Sequence, residues 1–388
     1  FGEFGGYVMC VDVLTGSFKW EIIVDKNSWI QTAPTIADLD SDGNLDFIVS
    51  TWNAVEGDTN RIYAYRGYDQ KLLWAYDIQK YTYHGTSVTD LDDDGLPEIV
   101  IGDYSGTLYA LNGEDGSEVW TYKKQNDYYI GCPVSIGDLD GDGNCELVFA
   151  SWFYLICLNK DATVKWTYSL PDYGQAFRGV ILTDVNDDYL PDVVFGAKTG
   201  RMTALNGKNG ELIWMMDFQE IYGDTFDINH APVVADFDGD NLPELFFIGG
   251  KTNYPATQDN YGRGYCLSLK RGKGPDWLIF QNNIHRNANI CDEITSVSEN
   301  EISLDRLISI YPNPFAEDVN IVIDNQRNYK SAVIKDLLGR TVRILESNHS
   351  ANSFIWNGRD NNESEVRNGM YLVYFDNEKQ AYRIFKNR

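Results

Sequence analysis

The amino-acid sequence predicts an all-β chain in two parts, and three observations carry that prediction. Five acidic nonapeptides recur every 46 to 52 residues. Each is followed by a β-rich run and then by a strand–turn–strand unit that ends on tryptophan. Beyond residue 307 the period breaks, and short alternating strands of another pattern take over.

The nonapeptides are DLDSDGNLD from Asp38, DLDDDGLPE from Asp90, DLDGDGNCE from Asp138, DVNDDYLPD from Asp184 and DFDGDNLPE from Asp236. A period of this size signals a repeat architecture. The segments before them, such as Thr35-Ile36-Ala37 and Val233-Val234-Ala235, read as short strands, and Phe47-Ile48-Val49 or Ile99-Val100-Ile101 after them as buried ones. Residues 106–120, GTLYALNGEDGSEVW, add two strands, with counterparts at 6–20, 61–74, 154–166 and 200–214. Four short strands per unit, parted by Gly, Asn and Asp turns and repeated radially, make the blade of a β-propeller. The recurrent Trp20, Trp74, Trp120, Trp166, Trp214 and Trp277 are expected to end outer strands and pack on the adjacent blade. Residues 276–280 read as the last propeller strand. Residues 5–24 supply only the outer half of a blade. The expectation is therefore a propeller over 1–283 with five complete blades plus a partial N-terminal blade, six or seven in the full protein, and an export signal upstream.

The formal charge of −26 argues against nucleic acid or an anionic membrane as partner and in favour of bound cations. No apolar run reaches transmembrane length. Of the six cysteines, Cys10, Cys157 and Cys266 share a repeat position with Ala64, Ala110 and Ala204, which predicts a small buried core slot. Cys132, Cys145 and Cys291 stay open, with no metal-type spacing between them.

In each nonapeptide, oxygen side chains at positions 1, 3, 5 and 9, with the carbonyl of position 7, can converge on one hard cation. The candidate ligands are Asp38, Asp40, Asp42, Asn44 and Asp46 in loop one, and Asp90, Asp92, Asp94, Leu96 and Glu98 in loop two. Loop three offers Asp138, Asp140, Asp142, Asn144 and Glu146, and loop four Asp184, Asn186, Asp188, Leu190 and Asp192. Loop five offers Asp236, Asp238, Asp240, Leu242 and Glu244. An EF-hand needs a bidentate Glu at position 12; here that position is Val49, Ile101, Phe149, Phe195 or Phe247. The prediction is three to five structural Ca2+ ions in strand–loop–strand sites. Asn186 and Tyr189, the latter at the Gly position, set loop four apart, and Asn241 takes that position in loop five.

These loops resemble the FG-GAP repeats of integrin-α-like propellers, akin to VCBS-type repeats, and the Gly…Trp halves resemble the PQQ-type propeller repeat. The resemblance implies calcium bracketing the turn between the first two strands of a blade. No vicinal cysteine pair of the sort some PQQ enzymes carry is present.

Six residues before each loop-initiating Asp stand Thr32, His84, Cys132, Arg178 and His230, expected to ring one mouth of the central channel. Aromatic neighbours are Trp29, Tyr81, Tyr83, Tyr128, Tyr129, Tyr173 and Phe177. Trp29, Tyr83, His84, Tyr129, Phe177, Arg178 and His230 are the candidate ligand-binding set, and flat rings with a few polar groups suit a sugar. Ordinary packing at blade edges is the simpler explanation of the same residues, because propeller mouths collect aromatics anyway. Two functional readings stay open, a surface binding, adhesion or scaffold module for a glycan or surface protein, and a polysaccharide-active enzyme. Calcium-containing propellers occur in rhamnogalacturonan-type lyases, where His84, Arg178 and His230 would serve β-elimination. The sequence offers no nucleophile motif and no phosphate cradle.

Residues 284–306 are polar and aperiodic and read as a linker. The segment 307–388 reads as a compact immunoglobulin-like β-sandwich with strands near 319–323, 331–335, 341–345, 354–356, 371–375 and 380–385. The order YPNPF (311–315), DLLGR (336–340), WNGRD (356–360) and NGMYLV (368–373) resembles the type A sorting domain of the Bacteroidetes type IX secretion system. That resemblance implies export across the outer membrane, with the secretion machinery as partner and the cell surface or medium as destination.

Overall fold

The computed structural model describes residues 1–53, 59–124, 129–238, 240, 242–253, 255–269, 271–272, 274–275, 277, 281–283, 285–291, 308–313, 315–323, 329–336, 339–346, 353–375 and 381–387. It divides into two units, Phe1–Val297 and Ser298–Arg388.

The first unit is a β-propeller. β1 (Tyr7–Val11) and β2 (Phe18–Ile23) pair alone. Four antiparallel four-stranded sheets follow in chain order. The first holds β3 (Thr35–Ala37), β4 (Asp46–Ser50), β5 (Asn60–Arg66) and β6 (Leu72–Ile78). The second holds β7 (Ser87–Thr89), β8 (Glu98–Gly102), β9 (Thr107–Asn112) and β10 (Glu118–Lys123). The third holds β11 (Ser135–Gly137), β12 (Glu146–Ser151), β13 (Tyr154–Asn159) and β14 (Val164–Ser169). The fourth holds β15 (Ile181–Thr183), β16 (Asp192–Gly196), β17 (Arg201–Leu205) and β18 (Leu212–Asp217). After the short helix α1 (Phe218–Tyr222), β19 (Val233–Ala235), β20 (Glu244–Lys251) and β21 (Tyr261–Ser268) make a three-stranded sheet.

Burial along each blade follows strand position. β4, β8, β12 and β16 are buried at every residue, because both faces lie under neighbouring blades, and so they read as continuous apolar runs. The outer strands β10, β14 and β18 bring exposed positions in among the covered ones. Adjacent blades are joined by repeated hydrogen bonds. Trp74 Nε1 donates to the Gly113 carbonyl (2.6 Å), Trp120 Nε1 to Lys160 (3.0 Å) and Trp166 Nε1 to Gly207 (2.7 Å). At Gly116 and Gly210, both left-handed, a Cβ would meet the ring of the preceding blade's Trp74 or Trp166. Hydroxyls on the innermost strands act likewise, with Thr35 donating to Thr86 O and Ser135 to Val180 O.

The chain after β21 differs from expectation. Trp277 does not end an outer strand; it exchanges both backbone hydrogen bonds with Val234 on the innermost strand β19. Of residues 276–280 only Trp277 is described. Asp184 N donates to Gly274 O, Ile36 N to His285 O, Val88 N to Asn287 O and Ile136 N to Ala288 O. Gly274, Trp277, His285, Asn287 and Ala288 thus bond to the inner edges of five blades in turn, and Cys291 forms a disulfide to Cys145. Gln281, Asn287, Ala288 and Asn289 are buried, and Asn289 Nδ2 donates to Val88 O. Residues 285–291 are therefore an inner lining of the propeller rather than linker; residues 284 and 292–306 lie outside the described residues. The cysteine slot also divides. Cys157 is fully buried in a four-stranded blade, whereas Cys266 is exposed and Cys10 half-buried, each in a sheet with fewer strands to cover it.

The second unit is a sandwich of two sheets. β22 (Ile308–Tyr311), β23 (Val319–Ile323) and β26 (Ser353–Trp356) form one, in that order. β25 (Thr341–Glu346), β24 (Ser331–Lys335), β27 (Gly369–Phe375) and β28 (Ala381–Lys386) form the other. The motif residues are structural: Phe315 packs on Trp356 at 5.3 Å, and Arg340 Nε donates to Asp336 at 2.7 Å. Trp356 Nε1 donates to Arg359 O, and Tyr371 OH to Arg367 O.

Candidate metal loops and a candidate ligand cavity

Two carboxylate contacts recur in the acidic loops among the described residues. The position-1 carboxylate accepts from the backbone at position 6: Gly43 to Asp38, Gly95 to Asp90, Gly143 to Asp138 and Tyr189 to Asp184. The position-9 carboxylate accepts from the backbone at position 2, Leu39 to Asp46, Leu91 to Glu98, Leu139 to Glu146, Val185 to Asp192 and Phe237 to Glu244. Tyr189 takes the left-handed conformation (φ 69°) that Gly43 and Gly95 take, so the turn itself survives the substitution. Asn241 lies outside the described residues.

Carboxylate oxygens of Asp38, Asp40 and Asp42 lie within 4.8 Å of one another. So do those of Asp90, Asp92 and Asp94, of Asp138, Asp140 and Glu146, and of Asp236, Asp238 and Glu244. In loops one, two and five the second oxygen of the position-9 acid (Asp46 Oδ1, Glu98 Oε1, Glu244 Oε1) is buried and accepts no hydrogen bond among the described residues. Such orphans are costly unless a ligand completes them, and an all-oxygen donor set of this kind suits a hard divalent cation. Burial, with nearby carboxylates adding, pushes Asp46 up to about 6 and Glu98 up to about 7.

Loops three and four carry their own donors to these carboxylates. Lys165 Nζ sits 2.6 Å from Asp140 and 2.9 Å from Glu146. Asn186 Nδ2 donates to Asp188 (3.0 Å) and Asp192 (3.2 Å), bridging the carboxylates where a cation would stand. Lys165 has no counterpart signal in the nonapeptide, because it arrives from β14.

The channel mouth holds a cavity of about 870 Å³. His84, Arg178 and His230 line it, joined by Tyr83, Phe4 and, from the inner lining, Trp277 and Arg286. Thr32 and Cys132 do not. Each is buried and bonds its own blade, Thr32 to Ser50 and Cys132 to Ala150, because a small polar side chain there reaches the neighbouring strand. Arg178 lies over Tyr83 (5.0 Å) and Phe177 (5.4 Å). Burial, and secondarily the Arg178 charge, pull His84 down to about 3 and lower His230. The His84 imidazole is then neutral near neutral pH.

Beside the cavity runs a ribbon of half-buried aromatic rings. Trp52 stacks on Tyr81 (4.3 Å), Tyr81 meets Tyr104 (4.7 Å), Tyr104 stacks on Tyr129 (4.9 Å) and Tyr129 meets Trp152 (4.5 Å). Phe153 and Tyr173 extend it, while Tyr83 and Phe177, 5.4 Å apart, join it to the cavity. Trp29 stands apart against Phe4, 47% exposed; Tyr128 lies outside the described residues. Trp52, Tyr104 and Trp152 were not among the expected residues, yet they share one repeat position, with Lys198 and Gly250 as counterparts.

The family model described as outer membrane protein assembly factor BamB matches residues 59–302. The model described as secretion system C-terminal sorting domain matches residues 309–386. No curated protein matches the chain. Among solved structures, BamB from Moraxella catarrhalis is 10% identical with a TM-score of 0.44, over 96% of this chain and 88% of that one. The V. cholerae biofilm matrix protein Bap1 is 15% identical with a TM-score of 0.47, over 99% of this chain and 69% of that one. Saccharomyces cerevisiae Sqt1 is 12% identical with a TM-score of 0.47, over 63% and 64%. The sorting domain directs the chain through the type IX secretion machinery to the cell surface or extracellular space. Among the described residues no helix is long and apolar enough to cross a membrane.

Proposed function

The chain belongs to the family described as outer membrane protein assembly factor BamB, and from that premise we propose that its propeller is a calcium-stabilised surface module that binds carbohydrate. The observation that carries the reading is the aromatic ribbon leading into the cavity. Its rings offer flat apolar faces for sugars, and Arg178, His84 and His230 offer polar groups to orient them. Calcium in loops one, two and five fits the FG-GAP-like pattern and the buried carboxylate oxygens left without donors there. Bound at the turns between first and second strands, calcium would hold the blades without touching the ligand.

A glycan array followed by calorimetry tests the binding. Tyr104→Ala is expected to weaken any captured glycan by about 5- to 10-fold, from the loss of a stacked ring worth roughly 1–1.5 kcal/mol. Unchanged affinity in that variant removes the ribbon from the site. A lyase reading draws on His84, Arg178 and His230 sharing one cavity. Ultraviolet-absorbing unsaturated product from a pectic substrate would favour it over simple binding.

A further inference from the structure

The cavity is cationic in a chain of formal charge −26. Two arginines, Arg178 and Arg286, line it, and Glu3 is the one acidic side chain among the described lining residues. Arg178 pairs with no carboxylate among the described residues. It is held instead over the faces of Tyr83 and Phe177, which restrain a guanidinium while leaving its N–H groups for a ligand. Arg286 comes from the inner lining and has a left-handed backbone (φ 59°), a conformation disfavoured for a residue with a Cβ. The buried Asn287, Ala288 and Asn289 beside it, with backbone bonds to β7 and β11, hold that conformation.

Resting on the carbohydrate reading above, we propose that the cavity receives the carboxylate of an acidic sugar, with Arg178 as the group that binds it and the ribbon carrying the neighbouring sugars. A guanidinium fork matches a carboxylate with two parallel hydrogen bonds, and the aromatic walls exclude the water that would weaken them. The acidic exterior repels polyanions at long range, so recognition is confined to a carboxylate that enters the mouth.

The test compares glucuronate-terminated oligosaccharides with the same molecules after reduction of the carboxyl group, titrated into the full chain in calcium. The acidic form is expected to bind at least about 10-fold more tightly. Arg178→Gln should erase most of that preference, weakening the acidic form far more than the reduced one, because the charge-assisted pair is lost. Arg178→Lys keeps the charge and the packing but not the fork, and serves if the glutamine variant melts early; it too should lose part of the preference. Equal binding of acidic and reduced forms overturns this inference and leaves the carbohydrate reading intact. Binding of neither form overturns both.

Discussion

Loop one and loop four have nearly the same backbone and opposite interiors. Both place a left-handed residue at position 6, Gly43 or Tyr189, and both tie their position-9 acid to the position-2 amide. In loop one a carboxylate, Asp40, stands at position 3, and Asp46 Oδ1 is left buried without a donor. In loop four Asn186 stands there, and its amide hydrogens reach Asp188 and Asp192. Between these two loops, one atom group at position 3 separates an interior short of a donor from one that satisfies itself. The glycine position, which looks decisive in the sequence, tolerates a tyrosine.

The largest test of that comparison is to exchange the two residues. Asn186→Asp removes two donors and adds a like charge, so in chelator the melting temperature should fall by several degrees, from roughly 1–3 kcal/mol of unpaired buried charge. Calcium should restore it. Asp40→Asn should do the reverse and shrink the calcium-induced rise. Calcium responses equal to wild type in both variants would break the comparison.

The pH dependence sharpens it further. Burial raises the carboxyls of Asp46 to about 6 and of Glu98 and Asp192 to about 7, above their unfolded values. A raised carboxyl holds its proton more tightly in the folded state, so its stabilisation is complete below the unfolded value and is lost as pH rises through the folded one. In chelator, melting temperature should therefore fall between about pH 4 and pH 7. Calcium should flatten the part due to Asp46 and Glu98 and leave the part due to Asp192, which denaturation scans at several pH values can separate. A slope that calcium leaves untouched would contradict ion binding at loops one and two.

The smallest expected effect concerns loop three. Lys165 must yield before an ion can use Asp140 and Glu146. Lys165→Met should add one tight site to the calcium stoichiometry measured by calorimetry, with little change in melting temperature. An unchanged stoichiometry would place the limit elsewhere in the loop.

Legibility in the sequence varied with the range of the interaction. The blades were readable because each strand's burial is set by its place in a repeating unit, as the wholly buried β4, β8, β12 and β16 illustrate. Half of the mouth was readable as well: His84, Arg178 and His230 meet in the cavity, while Thr32 and Cys132 fold back into their blades. The ribbon residues Trp52, Tyr104 and Trp152 left a signal at one repeat position that alignment of the five units exposes. Residues 285–291 left none. Their Asn-rich composition is that of a loop, yet their amides and backbone satisfy the inner edges of the innermost strands.

By itself, the sequence determined the repeat, the acidic turns and the sorting domain, because each depends on residues a few positions apart with a fixed spacing. Only the tertiary structure decided which loops lack a donor, which arginines share a cavity and what lines the channel. Those depend on groups brought together from distant segments, as Lys165 is to loop three and as Cys291 is to Cys145 across 146 residues. No local pattern encodes such a meeting; the packing of the blades against one another does.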